Sequence, residues 1–183
     1  KSFYASIFEI TNGQYGRFKP SLRKSLGADN IPVTSIDWNE AASFCNWLRK
    51  NEGLQPFYDI VNERVSGFNK NTDGYRLLRE AEWEWLSRKA GKTKQTIFSW
   101  GDEMVIPPNT ANISDEGAKG QMKFYVPNYN DGYVSAAPVG RFKKELSGLY
   151  DIAGNVSEWV HDIYSTMPPM EDTTSEDPLG AEN

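Results

Sequence analysis

The 183-residue sequence holds a single cysteine, Cys45, and a single histidine, His161. One thiol allows no disulfide within the chain and no cysteine-based zinc site. One imidazole allows no centre that needs two or three of them. Basic excess is missing as well: 20 Lys and Arg stand against 25 Asp and Glu, a formal net charge of −5. With no Lys/Arg cluster, the chain is not matched to a nucleic-acid duplex. No run approaches the roughly 18 apolar residues that suggest a membrane-spanning helix, and the mean hydropathy is −0.63. An initiator Met and a signal peptide are also lacking, and the last residues include the polar stretch Glu171–Pro178. The sequence therefore reads as a piece of a longer protein, one domain over residues 1–183 truncated at both ends, and the missing signal carries no information on compartment.

Apolar residues make up 38% and aromatics 13%, enough for a core and too many for a disordered chain. The run from Ser2 to Ile10 is rich in β-branched and aromatic residues and predicts a strand. Thr11 or Asn12 is placed to cap a short helix that Pro20 closes. The strongest helical period runs from Asp37 to about Glu52, with Trp38, Ala41, Ala42, Cys45 and Leu48 on one face and Gly53 at the C′ position. Pro56–Ile60 predicts a short strand and Gly67–Gly74 a turn-rich loop. A second helix is expected from Glu80 to Ala90, ended by Gly91, with acidic residues early and basic ones late, as the helix dipole favours. Beyond Thr93, Gly, Pro, Asn and Asp punctuate short aromatic runs. Two helices and a loop-rich remainder predict an α+β fold with segregated elements.

Four strings stand in order along the chain: Glu9-Ile10-Thr11-Asn12-Gly13-Gln14-Tyr15, Tyr75-Arg76-Leu77-Leu78-Arg79-Glu80-Ala81-Glu82-Trp83-Glu84, Ala137-Pro138-Val139-Gly140, and Gly148-Leu149-Tyr150-Asp151-Ile152-Ala153-Gly154-Asn155-Val156-Ser157-Glu158-Trp159. Together they resemble the formylglycine-generating enzyme family, the sulfatase-modifying-factor domain. The resemblance implies a C-type-lectin-like α+β fold, with two helices packed on antiparallel sheet and little other regular structure. Leu78 and Arg79 depart from the family's Pro-Thr. That Thr would cap the second helix in a box with Glu82, so its loss is expected to cost about 1 kcal/mol, and Arg79→Thr to stabilise. The family's closing part, which in its oxidases carries a reactive cysteine pair, has no match here.

That cysteine pair holds copper and activates oxygen beside a substrate cysteine, as the resemblance implies. Cys45 is no substitute, since it lies mid-helix among Ala42, Leu48 and Trp38 and reads as a buried small hydrophobe. The three-histidine iron site of the related sulfoxide synthases cannot be built from His161, which reads as a hydrogen-bonded strand residue. Calcium is different, because it takes hard oxygen ligands that irregular backbone supplies. The resemblance implies one calcium held by Asp151, Gly154, Val156 and Glu158, and a second by Asn112, Ile113, Asp131 and Tyr133. From spacing alone, both sets read as Asx-type turns without metal. The six tryptophans are expected to pack the core.

Two functions compete. One is a calcium-braced pseudoenzyme, non-catalytic, that binds or assembles with a protein partner or other domains of its parent. The other is a copper-dependent oxidase that converts sulfatase cysteines to formylglycine, its cysteine pair lying beyond Asn183. Glycan recognition is a third class without support from any motif. Calcium use favours an extracytoplasmic setting.

Overall fold

The computed structural model describes residues 2–164, so the polar stretch 171–178 lies outside the described residues. These residues form two interleaved compact units. The first takes residues 2–35 and 85–157, and the second takes 36–84 and 158–164.

In the second unit, Asp37 caps helix α1, Trp38–Leu48. Its carboxylate accepts from the Glu40 amide at 2.8 Å, and the Glu40 carboxylate takes back the Asp37 amide at 3.1 Å. This reciprocal box satisfies two amides that a helix start otherwise orphans. A 3₁₀ turn, Arg49–Asn51, extends the helix, and Gly53 follows at φ +71°. Ala42 and Cys45 meet Phe57 and Tyr58 in a buried cluster joined by Trp38, Ile60, Val65 and Leu77. Burial pushes the Cys45 thiol up to about 12.

Strands β1, Tyr58–Val61, and β2, Arg64–Phe68, form an antiparallel hairpin. Here the structure departs from the expected loop at 67–74, because Gly67 and Phe68 end a strand. Asn62 and Glu63 turn the chain at φ 49° and 62°. That is the primed-turn geometry usually signalled by Asn-Gly, and Glu63 in the glycine position hid it. Asn46 fixes the hairpin to α1 with both ends of its amide. It donates to the Tyr58 carbonyl at 2.7 Å and accepts the Tyr58 amide at 3.3 Å. Asn39 accepts the Val65 amide at 2.9 Å.

His161 is buried but is not in a strand. Phe57 and Phe68 present to it at near-perpendicular ring angles, 5.4 and 4.8 Å away. The Leu77 amide donates to the Tyr58 hydroxyl oxygen at 3.2 Å, which leaves the Tyr58 proton to donate to His161 Nδ1 at 3.1 Å. The neutral ring with its proton on Nε2 fits that chain of bonds.

Helix α2, Glu80–Arg88, carries the chain from the second unit into the first. The expected uncapped start is corrected. Asp162 accepts the Glu80 amide at 2.7 Å, so a carboxylate distant in sequence takes the role of the missing Thr. Glu82 keeps its half of the box on the Arg79 amide at 2.9 Å and pairs with Arg76 through both oxygens, at 2.6 and 2.7 Å. Arg79 itself is only 6% exposed. Its replacement by Thr would empty a buried site, which reverses the sign expected from the cap alone.

In the first unit, Thr11 rather than Asn12 caps helix α3, Asn12–Phe18, in a box with Gln14. The Ser2–Ile10 strand is also corrected. A strand needs a continuous ladder, and this segment makes single ties: Ile7 accepts the Tyr150 amide at 3.0 Å, Ile10 accepts the Val33 amide at 2.8 Å, and Phe8 stacks on Tyr150. The tryptophan expectation holds in part: Trp38 packs against the second unit's buried cluster, whereas Trp85 and Trp159 are half exposed. Tyr15, Ala111, Tyr129, Ala137, Phe142 and Ile152 make up much of this unit's core instead. The Tyr129 hydroxyl accepts the Ala111 amide at 3.1 Å and donates to the Ala111 carbonyl at 2.8 Å.

Burial holds the His161 imidazolium below the ordinary histidine range, against the pull of Asp162. Between the lowered folded pKa and the unfolded value of about 6.5, the unfolded chain binds more protons, so stability rises with pH there. The contribution is complete above that range and is lost as pH falls through it. Urea unfolding at pH 8 and pH 5 should show a larger acid loss for the wild type than for His161→Gln. Equal losses would mean that His161 does not titrate against folding.

Candidate functional site

The last of the four sequence strings winds through two left-handed residues, Asp151 at φ 62° and Asn155 at φ 68°. Only short polar residues visit that region at modest cost, and here each has its side chain put to use. The Asn155 amide nitrogen donates to Glu9 at 2.7 Å and to the Ala137 carbonyl at 3.2 Å. Its amide oxygen accepts the Ala137 amide at 2.8 Å and the Asn112 side chain at 2.9 Å. The Asn155 backbone amide donates to the Asn112 carbonyl at 2.7 Å, and Glu9 also accepts the Val156 amide at 3.2 Å. Three other stretches of the first unit thus close on one asparagine.

Gly154 sits against this knot. A Cβ there would lie 2.3 Å from the Asn112 carbonyl oxygen, closer than any side chain tolerates. Asp151 is 3% exposed; its Oδ2 accepts the Gly140 amide at 2.6 Å, while its Oδ1 is buried without a hydrogen-bond partner. Burial raises the Asp151 carboxyl above the usual carboxylate range, opposed by that one amide. A buried carboxylate oxygen without a partner is costly, and a hard cation is a group that would satisfy it. Asp151, Gly154 and Val156 all belong to the first unit, where the Gly154 amide donates to the Asp151 carbonyl at 2.9 Å. Glu158 opens the closing segment of the second unit, where it is exposed and accepts the Trp83 indole N–H at 2.5 Å.

The other four candidates converge around Asp131. Its Oδ2 accepts the Ile113 amide at 2.9 Å, and its Oδ1 accepts the Tyr133 amide at 2.7 Å, an Asx turn. Asn112 adjoins them, its amide nitrogen committed to Asn155 and to the Ser135 carbonyl at 2.8 Å. Asp115, 1% exposed, accepts the Asp131 amide at 2.5 Å and the Gly117 amide at 2.8 Å. Burial first, and then the neighbouring Asp115, raises the Asp131 carboxyl. Asn112 takes part in both loop systems, so the two candidate sites share a wall.

Sequence reasoning missed Glu9, Asn155, Asp115 and Gly140. Glu9, Asn155 and Gly140 lay in the strings already singled out, and a left-handed Asn after Gly154 was a readable signal. Asp115 had none, because its role depends on Asp131 being folded beside it. Copper chemistry does not fit the cysteine present: Cys45 is buried mid-helix, and its thiol is far from ionising.

Comparison with known proteins places residues 1–176 in a match to the model of the sulfatase-modifying factor enzyme 1-like domain. The chain is 26% identical to "Chaperone protein LppX" of Paenibacillus barcinonensis, over 93% of this chain and 66% of that protein. It is 32% identical to the formylglycine-generating enzyme of Mus musculus, over 81% of this chain and 32% of the enzyme. It is 29% identical to a second mouse protein, named inactive C-alpha-formylglycine-generating enzyme 2, over 73% of this chain and 34% of that protein. The chain thus spans about a third of the two mouse relatives. Among solved structures, Treponema denticola variable protein 1 shares the fold at a TM-score of 0.64 and 24% identity, covering 84% of this chain and 56% of that one.

The Gly154 geometry makes a direct prediction. Gly154→Ala forces backbone apart at the Asn112 carbonyl and should cost about 3 kcal/mol. Gly27→Ala, where the new Cβ finds only ordinary contact with the Asn12 side chain, should cost about 1 kcal/mol or less. Chemical denaturation of both variants checks this, and equal midpoints would contradict the knot.

Proposed function

The chain belongs to the sulfatase-modifying factor enzyme 1-like domain family, and on that premise we propose that it is a calcium-braced, non-catalytic member acting as a binding or assembly module of a larger protein. The observation that carries the non-catalytic reading is Cys45. It is the one thiol of the chain, buried against Ala42 and Tyr58, with its ionisation pushed up to about 12. Oxidation of a substrate cysteine through a thiolate-held metal needs thiolates that are formed and reachable, and this one is neither. Two similar proteins are named as an inactive enzyme and as a chaperone, which supports a non-catalytic use of the fold.

The calcium reading rests on Asp151. Asp151, Gly154, Val156 and Glu158 would hold one ion, and Asn112, Ile113, Asp131 and Tyr133 a second. The ion's chemistry would be that of a brace: it neutralises carboxylates raised by burial and ties loops that lack regular hydrogen-bond ladders. Such use suits an extracytoplasmic setting, where calcium is plentiful. Among the described residues no helix is long and apolar enough to cross a membrane, and the partner proposed is protein rather than nucleic acid.

The identity to enzymes named as formylglycine-generating favours one second reading, a copper-dependent oxidase whose cysteine pair is supplied from outside these residues. An assay separates the two. The chain incubated with a sulfatase-derived cysteine peptide, copper and oxygen should yield no aldehyde by mass spectrometry. Aldehyde that disappears on Cys45→Ser would overturn both the non-catalytic reading and the burial argument.

Calcium binding to the folded state alone should raise stability by about 2.7 kcal/mol at a hundred times the dissociation constant. Asp151→Asn and Glu158→Gln should each remove most of that response. Glu84→Gln, an equal change of charge on α2, should leave it intact. Thermal unfolding with calcium and with chelator provides the measurement. Identical melting of the wild type in both, with no calcium found by elemental analysis, would exclude the brace.

A further inference from the structure

Asn155 belongs to neither candidate calcium set, yet it is bonded to both loops. The peptide unit between Asn112 and Ile113 is the first link. Its carbonyl accepts the Asn155 amide at 2.7 Å, and its N–H, that of Ile113, donates to Asp131 Oδ2 at 2.9 Å. A peptide unit is planar and stiff, so the Asp151 loop and the Asp131 loop grip opposite ends of one rigid plate. Each bond polarises the peptide in the direction that strengthens the other. The Asn112 side chain is the second link. It donates both amide protons, to Asn155 Oδ1 at 2.9 Å and to the Ser135 carbonyl at 2.8 Å. That fixes which end of the amide is nitrogen and leaves the oxygen, the atom a hard cation takes, as the end available to a ligand.

Asn155 and Glu9 also lock the Asp151 loop. Glu9 accepts the Asn155 side chain at 2.7 Å and the Val156 amide at 3.2 Å, and the Gly154 amide closes a turn on the Asp151 carbonyl. These bonds set the backbone from which Gly154 and Val156 would offer carbonyls, in the loop whose Asp151 Oδ1 is buried without a partner. All of these residues lie in the first unit. An ion in either set needs the same placement of Asn155 and of the 112–113 peptide, so the entropy of ordering that placement is lost only once. We propose that Asn155 is a positioning residue for both calcium sets and couples them, so that calcium in one set raises the affinity of the other. The proposal rests on the calcium reading and adds to it the dependence of each ion on its neighbour. Repulsion between two dications acts in the opposite sense, which makes the sign of the coupling a test in itself.

The probe is calcium alone, titrated into the whole chain after chelator treatment and followed by calorimetry, with elemental analysis for the stoichiometry. The wild type should bind two ions. Asp131→Asn should weaken the remaining Asp151 site roughly tenfold, and Asp151→Asn should weaken the Asp131 site by the same factor, because coupled binding free energies are reciprocal. Hydrogen bonds lost to either substitution carry no such requirement of equality. Asn155→Asp keeps the side chain's size and its tolerance of a left-handed backbone, but it removes both donated side-chain bonds and sets a carboxylate against Glu9. It should weaken both sites, and the effect of Asp131→Asn on the Asp151 site should fall to about onefold in that background. Lower melting in chelator with both affinities of the folded chain unchanged would reduce Asn155 to a structural support and overturn the proposal. Unequal factors, or a site indifferent to or strengthened by loss of the other, would overturn it as well. Those two measurements need no change at position 155, so they decide the matter even if Asn155→Asp does not fold. Two ions bound independently, or one ion only, remove the coupling and leave the calcium brace standing. No ion bound at all removes the calcium reading together with the coupling.

Discussion

The first unit depends on one asparagine. Asn155 holds a left-handed backbone, donates to Glu9 and Ala137 and accepts from Ala137 and Asn112. Few regular elements exist here to satisfy buried backbone groups, and a buried amide or carbonyl without a partner is expensive. A side-chain amide is well suited to that shortage, because it offers donors and acceptors from one planar group. Glycine at 154 follows from it, because only a residue without a Cβ lets the Asn112 carbonyl approach. Asp151 and the Asp131 loop then hang on the same scaffold, which is why both candidate calcium sets adjoin Asn112.

The second unit solves the same problem with conventional parts. A reciprocal box starts α1, a side-chain amide pins the hairpin to it, and Asp162 caps α2 from beyond the end of the first unit's last segment in sequence. His161 completes that unit as a neutral ring among aromatics, held by the Tyr58 hydroxyl. The same burial favours the neutral ring over the imidazolium.

Asp115 and Glu9 are spent on backbone amides, and Cys45 is sealed in apolar surroundings. Trp85 stays half exposed beside a groove that Phe3, Lys144 and Leu149 help to line.

The sequence by itself determined the helix starts and stops and the family. Thr11 and Asp37 are caps whose bonds span three residues, and Gly53 and Gly91 end helices by their own conformational freedom, so a local reading suffices. The α+β class and the loop-rich remainder were legible for the same reason. The tertiary structure decided what depends on distant partners. Whether Ser2–Ile10 becomes a strand rests on a neighbour that local sequence does not specify. Asp162 could be assigned to the start of α2 only once the fold had brought them together. Glu63 in a primed turn, Arg79 buried and Trp85 exposed likewise run against residue preference, because packing outweighs propensities of a few tenths of a kcal/mol to about 1 kcal/mol. Asn155 belongs to both accounts: its string was recognisable at once, but its four-way bonding exists only where Glu9, Asn112 and Ala137 meet.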